Sequence, residues 1–294
     1  MTRLAVRHET VYRYARPVTF GEHRLMFRPR DSHDLRLVET SLTISPRAEV
    51  RWLHDVFSNS IAMASFEEPA EELRFESRIL IDHYGLDEPE FQIEPYARTY
   101  PFTYPAEESP DLARSIERDD PDPERRVDAW AKAFLNGGAE VDTQDLLVRM
   151  TKAIHNDFSY ARRYAFGTQA PAETIELGTG SCRDLALLMM AAVRSLGLAA
   201  RFVSGYLYDP NADNQSEAGI RGAGETHAWV QVYLPGAGWA EFDPTNGLVG
   251  GAYLIRIAVA RNPNQAVPLQ GSFFGAGEDY LGMSVEVDVN KVDA

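Results

Sequence analysis

The 294-residue sequence predicts an α+β protein in which an all-β amino-terminal region precedes a mixed unit of helices and strands. Three observations carry that expectation. Apolar and polar residues alternate along roughly the first hundred positions, as half-buried strands require. Beyond residue 125 the apolar spacing becomes that of helices. From Ala200 onward strand-like runs return, two of them joined by Pro235-Gly236-Ala237-Gly238, a hairpin turn.

In the amino-terminal part, Leu4, Val6, His8, Thr10, Tyr12 and Tyr14 mark one face of a first strand. Further strands are expected at residues 22–29, 34–44, 48–55, 59–66 and 72–82, separated by clusters such as Pro29-Arg30-Asp31-Ser32-His33-Asp34. Short strands at this spacing predict a sandwich-like domain over residues 1–98. Residues 99–124 gather Pro101, Pro105, Pro110, Pro121 and Pro123 among many acids and read as a solvated connector, or a strap lying on the surface, at the natural domain boundary. A helix over 125–135 ends at Gly137-Gly138, and Asp142-Thr143 can cap a second running to about residue 156. A third, over 182–196, carries Leu185, Leu188, Met189, Ala192, Val193 and Leu196 on one stripe and stops at Gly197. Strands at 200–208, 227–234 and 239–243 complete a core unit over 125–250, and strands at 253–260 and 281–289 in residues 251–294 are expected to finish the fold.

Composition narrows the function. The 29 basic residues face 44 acidic ones, a formal charge of −15, which repels phosphate backbones and anionic lipid. No nucleic-acid or membrane partner is expected, and no apolar run approaches the ~20 residues of a spanning helix. The amino terminus reads directly into a strand without an apolar signal core. One cysteine excludes an internal disulfide framework and a cysteine-rich zinc site, and a cytoplasmic setting is the simplest expectation. His8, His23, His33, His54, His83 and His155 lack metal-ligand spacing and are expected at surface or half-buried positions, so neither metal nor cofactor is predicted.

That one cysteine, Cys182, stands in Gly178-Thr179-Gly180-Ser181-Cys182-Arg183-Asp184, at the start of the third helix. Unpaired N–H groups and the positive dipole end there favour an anion. His227 opens one hairpin strand and Asp243 closes its partner. Nucleophile, base and orienting carboxylate are the parts of an activated thiol. Cys182 also brings its own backbone N–H as an oxyanion donor. The arrangement sets a geometric condition. If residue 234 pairs with 239, Asp243 points away from His227; if 234 pairs with 238, Asp243 shares His227's face. An odd loop or a bulge at Pro235–Gly238 is therefore required.

The boxes Gly-Ser-Cys-Arg-Asp, Leu-Gly-Leu-Ala-Ala-Arg-Phe-Val-Ser-Gly-Tyr, Thr-His-Ala-Trp-Val and Phe-Asp-Pro-Thr-Asn, in this order, resemble the transglutaminase-like superfamily. The likeness is to its bacterial cysteine-peptidase branch, whose amino-terminal β region resembles residues 1 to about 85. It implies a papain-like core, a cysteine helix packed on an antiparallel sheet, with Cys182 as nucleophile, His227 as general base and acid, and Asp243 as orienting carboxylate. Arg183 stands where relatives often carry Gln, and Ala260-Arg261-Asn262-Pro263 replaces a Gly-Arg-Asp-Tyr-like loop. A thioester enzyme acting on a peptide or protein follows. With water as acceptor it is a peptidase or amidase, the preferred expectation; with a primary amine it is a transglutaminase. A non-catalytic scaffold that kept the fold is the alternative outside enzymology, and an interaction module on the amino-terminal β region is compatible with either.

Trp229, Tyr160 and Arg183 are the candidate substrate contacts, and Tyr160 or Tyr164 is a candidate oxyanion donor. Trp229 and Trp239 can equally be core, and Asp184 is read as a first-turn acid complementing the helix dipole. Three rival motifs fail. The glycine string lacks the third glycine of a dinucleotide loop, no Gly-x-Ser-x-Gly surrounds Ser181, and the loop from Asp209 lacks the glycine and the bidentate acid of a calcium site.

Overall fold

A computed structural model describes the chain except residues 136, 138–139, 164–166, 211–220, 222–223 and 294. Its amino-terminal strands are β1 (Thr2–Phe20), β2 (His23–Leu25), β3 (Leu35–Ser45), β4 (Ala48–His54), β5 (Ser60–Phe66) and β6 (Ala70–His83). They divide between two sheets, one containing β1, β6 and β3 and the other β2, β5 and β4. Tyr14, Val18, Phe20, Leu25, Ala62, Ala64, Leu73 and Phe75 fill the space between, so the region is a β-sandwich whose strands alternate inward and outward as the sequence predicts.

The acidic connector carries structure of its own, which the reading as a solvated segment does not include. It holds β7 (Thr99–Tyr100) and α1 (Ser109–Ile116). Tyr104 and Leu112 are buried, and the Tyr104 hydroxyl donates to the carbonyl of Tyr233 at 3.0 Å. Then follow α2 (Arg126–Lys132), β8 (Val141–Asp142), α3 (Thr143–Asp157), β9 (Ser159–Tyr160), α4 (Pro171–Leu177), β10 (Thr179–Gly180) and α5 (Cys182–Ser195). Asp142 caps α3 as predicted, its Oδ1 accepting the Asp145 N–H at 2.8 Å. α5 is apolar nearly all round because it lies between the sheet on one side and α2 and α4 on the other.

The core sheet is antiparallel, with β11 (Ala200–Leu207), β12 (His227–Leu234), β13 (Gly238–Asp243), β14 (Leu248–Val249) and β15 (Leu254–Ala260) in the order β14-β13-β12-β11-β15. The carboxy-terminal segment is shared between both halves. β15 joins the core sheet, whereas β16 (Leu269–Gln270), β17 (Phe273–Phe274) and β18 (Tyr280–Lys291) pair with amino-terminal strands, β18 along most of β1. One apolar cluster runs through the whole molecule, joining Leu4, Val6, Ile61 and Ile81 to Leu185, Leu188, Val230 and Ile255.

Three histidines expected at surface or half-buried positions are buried at this junction or in the sandwich: His8, His23 and His83. Their partners explain it. His8 Nδ1 lies 2.8 Å from the Tyr206 hydroxyl on β11, His83 Nε2 lies 3.1 Å from the Leu254 carbonyl, and His23 bonds the Gly21 carbonyl. Buried polar groups are tolerated when so paired. No helix among the described residues is long and apolar enough to cross a membrane.

Candidate active site

Cys182 opens α5, and its backbone N–H belongs to the first turn, where no intrahelical acceptor exists. Two glycines deliver the chain to this point. Gly178 ends α4 with φ of +62°, a left-handed conformation that suits glycine. Gly180 passes so close to the helix that a Cβ there would lie 2.9 Å from the Cβ of Asp184. Asp184 is completely buried and knots the approach: it accepts the N–H of Ser181 at 2.9 Å, the Ser181 hydroxyl at 2.7 Å and the N–H of Gln169 at 2.7 Å, and it pairs with Arg163 at 3.2 Å. Its role is structural, as its position in the first turn implies.

The hairpin takes the register the site requires. Leu234 pairs with Gly238 and Val230 with Phe242 around a three-residue loop, Pro235–Ala237, with positive φ at Gly236 and Gly238. Asp243 therefore faces the same way as His227. Both are fully buried, and Nε2 of His227 lies 2.8 Å from Oδ2 of Asp243. The same Oδ2 accepts Nδ2 of Asn246 at 2.8 Å, while Oδ1 accepts the Thr245 N–H at 2.9 Å. Asp243 is thus both the turn-starter before Pro244 and the partner of the imidazole, with one oxygen for each task.

The other ring nitrogen, Nδ1 of His227, is buried without a conventional hydrogen-bond partner. Burial pushes the imidazole pKa down, but the charge and hydrogen bond of Asp243, with a smaller contribution from Cys182, outweigh it and lift it to about 10. Burial also acts to raise the Asp243 pKa, and the His227, Asn246 and Thr245 interactions overcome that and hold it below the usual range. An ionised carboxylate only accepts, so Nε2 of His227 donates to it and Nδ1 is left for the thiol side.

Tyr160 comes to the site through the parallel pairing of β9 with β10, which sets it beside Gly180. Burial and then the charges of Cys182 and Glu225 push its phenol up to about 12, so it stays a donor at neutral pH. Arg162 pairs with Glu225 at 3.4 Å on the same side. Tyr164 lies outside the described residues, as does most of the loop after Asp209. Trp229, a candidate substrate contact, takes the core position that the sequence equally allows. It is fully buried in a cluster with Val203, Leu207, Leu254 and Val259, its ring 6.0 Å from that of His227 and nearly parallel. Arg183 is half-buried and donates to the Arg163 carbonyl at 3.2 Å, bracing the neighbouring loop. Trp239 packs under Arg201, 4.1 Å from the ring centroid, and against Tyr233.

Asn246 is the site residue that sequence reasoning passed over. Besides Asp243 it bonds both backbone groups of Arg221, which Nη1 ties in turn to the His155 carbonyl. Its place three residues after Asp243 in an Asp-Pro turn was the available signal.

An antiparallel sheet that sets a histidine and a carboxylate beside a helix begun by cysteine defines a papain-like α+β protein. Residues 4–82 match the bacterial transglutaminase-like N-terminal region and residues 112–244 the transglutaminase-like superfamily core. The chain belongs to that superfamily. It is 29% identical over 302 residues to an uncharacterized protein of Mycobacterium tuberculosis, covering 98% of this chain and 92% of that one. It is 36% identical over 108 residues to one of Mycobacterium leprae, 37% of each chain. A solved structure from Cytophaga hutchinsonii, provisionally assigned as a cysteine protease, superposes with a TM-score of 0.69 at 19% identity, covering 100% of this chain and 91% of that one. The last likeness is one of fold.

Proposed function

We propose that the chain is a cysteine peptidase or amidase that works through a thioester, with Cys182, His227 and Asp243 as its catalytic triad. The observation that carries this reading is the buried His227–Asp243 pair, 2.8 Å apart, with Nδ1 left open on the side of the only thiol. An imidazolium held there is the counter-charge a thiolate needs. Cys182 attacks the substrate carbonyl, the negative oxygen is met by the Cys182 N–H and the Tyr160 hydroxyl, and His227 gives its proton to the leaving amine. Water then attacks the thioester, with His227 taking its proton, and the acid is released. The substrate class is a peptide or protein. A lone catalytic thiol suits a reducing compartment, and the cytoplasm is the proposed location.

Iodoacetamide tests the first half of this reading. Cys182 should take one label per chain well below pH 8, and C182S should take none. A peptide library, incubated with and without a labelled primary amine, tests the second. Release of new termini supports hydrolysis, and incorporation of the amine would instead make the protein a transglutaminase. An unreactive thiol with neither product would leave a scaffold that retained the fold.

A further inference from the structure

We propose that Glu241 is a positioning residue for the His227 imidazole, acting through the indole of Trp229. The proposal rests on the triad reading above. His227, Trp229 and Gln231 alternate onto one face of β12, and Glu241 stands opposite Gln231 on β13. From there its side chain reaches diagonally to Trp229, the same diagonal by which Asp243 reaches His227 two residues further along. The hairpin thus repeats one device: a carboxylate on β13 holding a ring on β12.

Glu241 is buried, with an acceptor role for each oxygen. Oε2 accepts the indole N–H of Trp229, and Oε1 accepts Nε2 of Gln231 and Nη1 of Arg256, each of these two at 2.6 Å. The Gln231 amide is held in that orientation because its own oxygen accepts Nε of Arg201 at 2.6 Å. Arg256 also pairs with Asp34, just ahead of β3, at 3.1 Å. The chain of contacts from Asp34 through Arg256, Glu241 and Trp229 ends at the catalytic imidazole, whose ring lies 26° from the plane of the indole. Room for the indole is made by Gly205, opposite His227 on β11, where a Cβ would lie 2.7 Å from the Trp229 ring.

Asp243 restrains one atom of the His227 ring; the tilt of the ring towards Cys182 is left to whatever its face packs on. Trp229 supplies that face, and Glu241 anchors the indole by its one polar atom. A fixed wall holds Nδ1 at the thiol, and small displacements of a reacting group are costly in rate.

The test uses the full chain and the alkylation rate of Cys182 by iodoacetamide across pH. E241Q keeps the volume but turns an NH2 towards one of three donors. It is expected to slow alkylation at neutral pH by about tenfold to a hundredfold and to displace the pH profile, which a merely stabilising residue would leave in place. W229F keeps a ring but has no N–H to anchor, so adding E241Q to it should cost far less than E241Q costs the wild type. D34N, at a half-exposed position, should slow alkylation less but in the same direction, and it decides the matter if E241Q does not fold. Wild-type rates and pH profiles in folded E241Q or D34N, or fully additive losses in the double variant, would overturn the proposal alone. An unreactive wild-type thiol would overturn the triad reading and this proposal with it.

Discussion

Phe242 stands opposite Val230 in the hairpin, and that one pairing turns Asp243 to the side of His227. A shift of a single residue would have sent it to the opposite face, because side chains alternate along a strand. The His227–Asp243 pair therefore depends on the three-residue loop Pro235–Ala237 as much as on the two side chains themselves.

Removing Asp243 should be costly twice over. D243A leaves a fully buried imidazole without its counter-charge, the Thr245 N–H without its side-chain acceptor and Asn246 Nδ2 with only the Arg221 carbonyl. A loss of about 3–5 kcal/mol in stability is expected, the range for breaking a buried pair, read by urea denaturation. Alkylation of Cys182 at neutral pH should fall in parallel.

The pH dependence follows from the direction of the His227 shift. Its pKa in the fold, about 10, lies above its ordinary 6.5, so protonating it favours the folded state. That contribution is fully present below pH 6.5 and is lost as pH rises through about 10. Asp243 acts at the other end: held below the usual carboxylate range, it contributes above that range, and the contribution is lost on acidification through its lowered value. Denaturation midpoints should decline from pH 6.5 to pH 10 in wild type and lose most of that slope in H227Q. Equal slopes in both proteins would count against the raised value.

Much of this was legible in the sequence, for physical reasons. α5 is long and strongly periodic, and β12 and β13 are short strand-like runs rich in aromatic and β-branched residues joined by a glycine turn, so element type and approximate bounds could be read directly. α1 lies inside the proline-rich acidic stretch, whose composition masks a helix of eight residues, and the seven-residue α4 rests on tertiary packing against α5, which no local pattern announces. The buried positions of His8 and His83 depend on Tyr206 and Leu254, over 170 residues away in the chain. Trp229 and Glu241 required the register first. Alternation places a residue on a face, but not what covers that face.

Asp184 shows how much the approach to Cys182 depends on one buried carboxylate. D184A would strip the acceptor from Ser181, Gln169 and Arg163 together. The lost helix-capping interaction and the buried donors left behind amount to about 3 kcal/mol or more. Thermal unfolding should show the loss, and alkylation should become less selective for pH as the loop before the thiol loosens.

The continuous apolar cluster bears on whether the two halves are separable. Leu4, Val6, Ile61 and Ile81 pack with the core of the α5 unit, and Asn59 bonds both backbone groups of Val259. β18, the last strand, has its partner in β1. A fragment of residues 99–294 would expose all of this surface at once. It is expected to be insoluble or molten, as judged by near-ultraviolet circular dichroism, and a soluble, alkylation-competent fragment would show the sandwich to be dispensable.

A Tyr160 variant separates the proposed nucleophile from the proposed oxyanion site. Alkylation by iodoacetamide displaces iodide at a saturated carbon and develops no oxyanion, whereas acyl transfer does. Y160F keeps the ring beside Gly180 and removes only the hydroxyl, so alkylation of Cys182 should proceed within about twofold of wild type. Turnover of a cleaved peptide should fall by roughly a hundredfold to a thousandfold, the usual cost of one oxyanion donor, with the loss in kcat rather than KM because the bond strengthens only as the oxygen becomes negative. If both rates fell together, Tyr160 would be shaping the thiol's surroundings instead. If neither fell, the Cys182 N–H would have to find its second donor elsewhere.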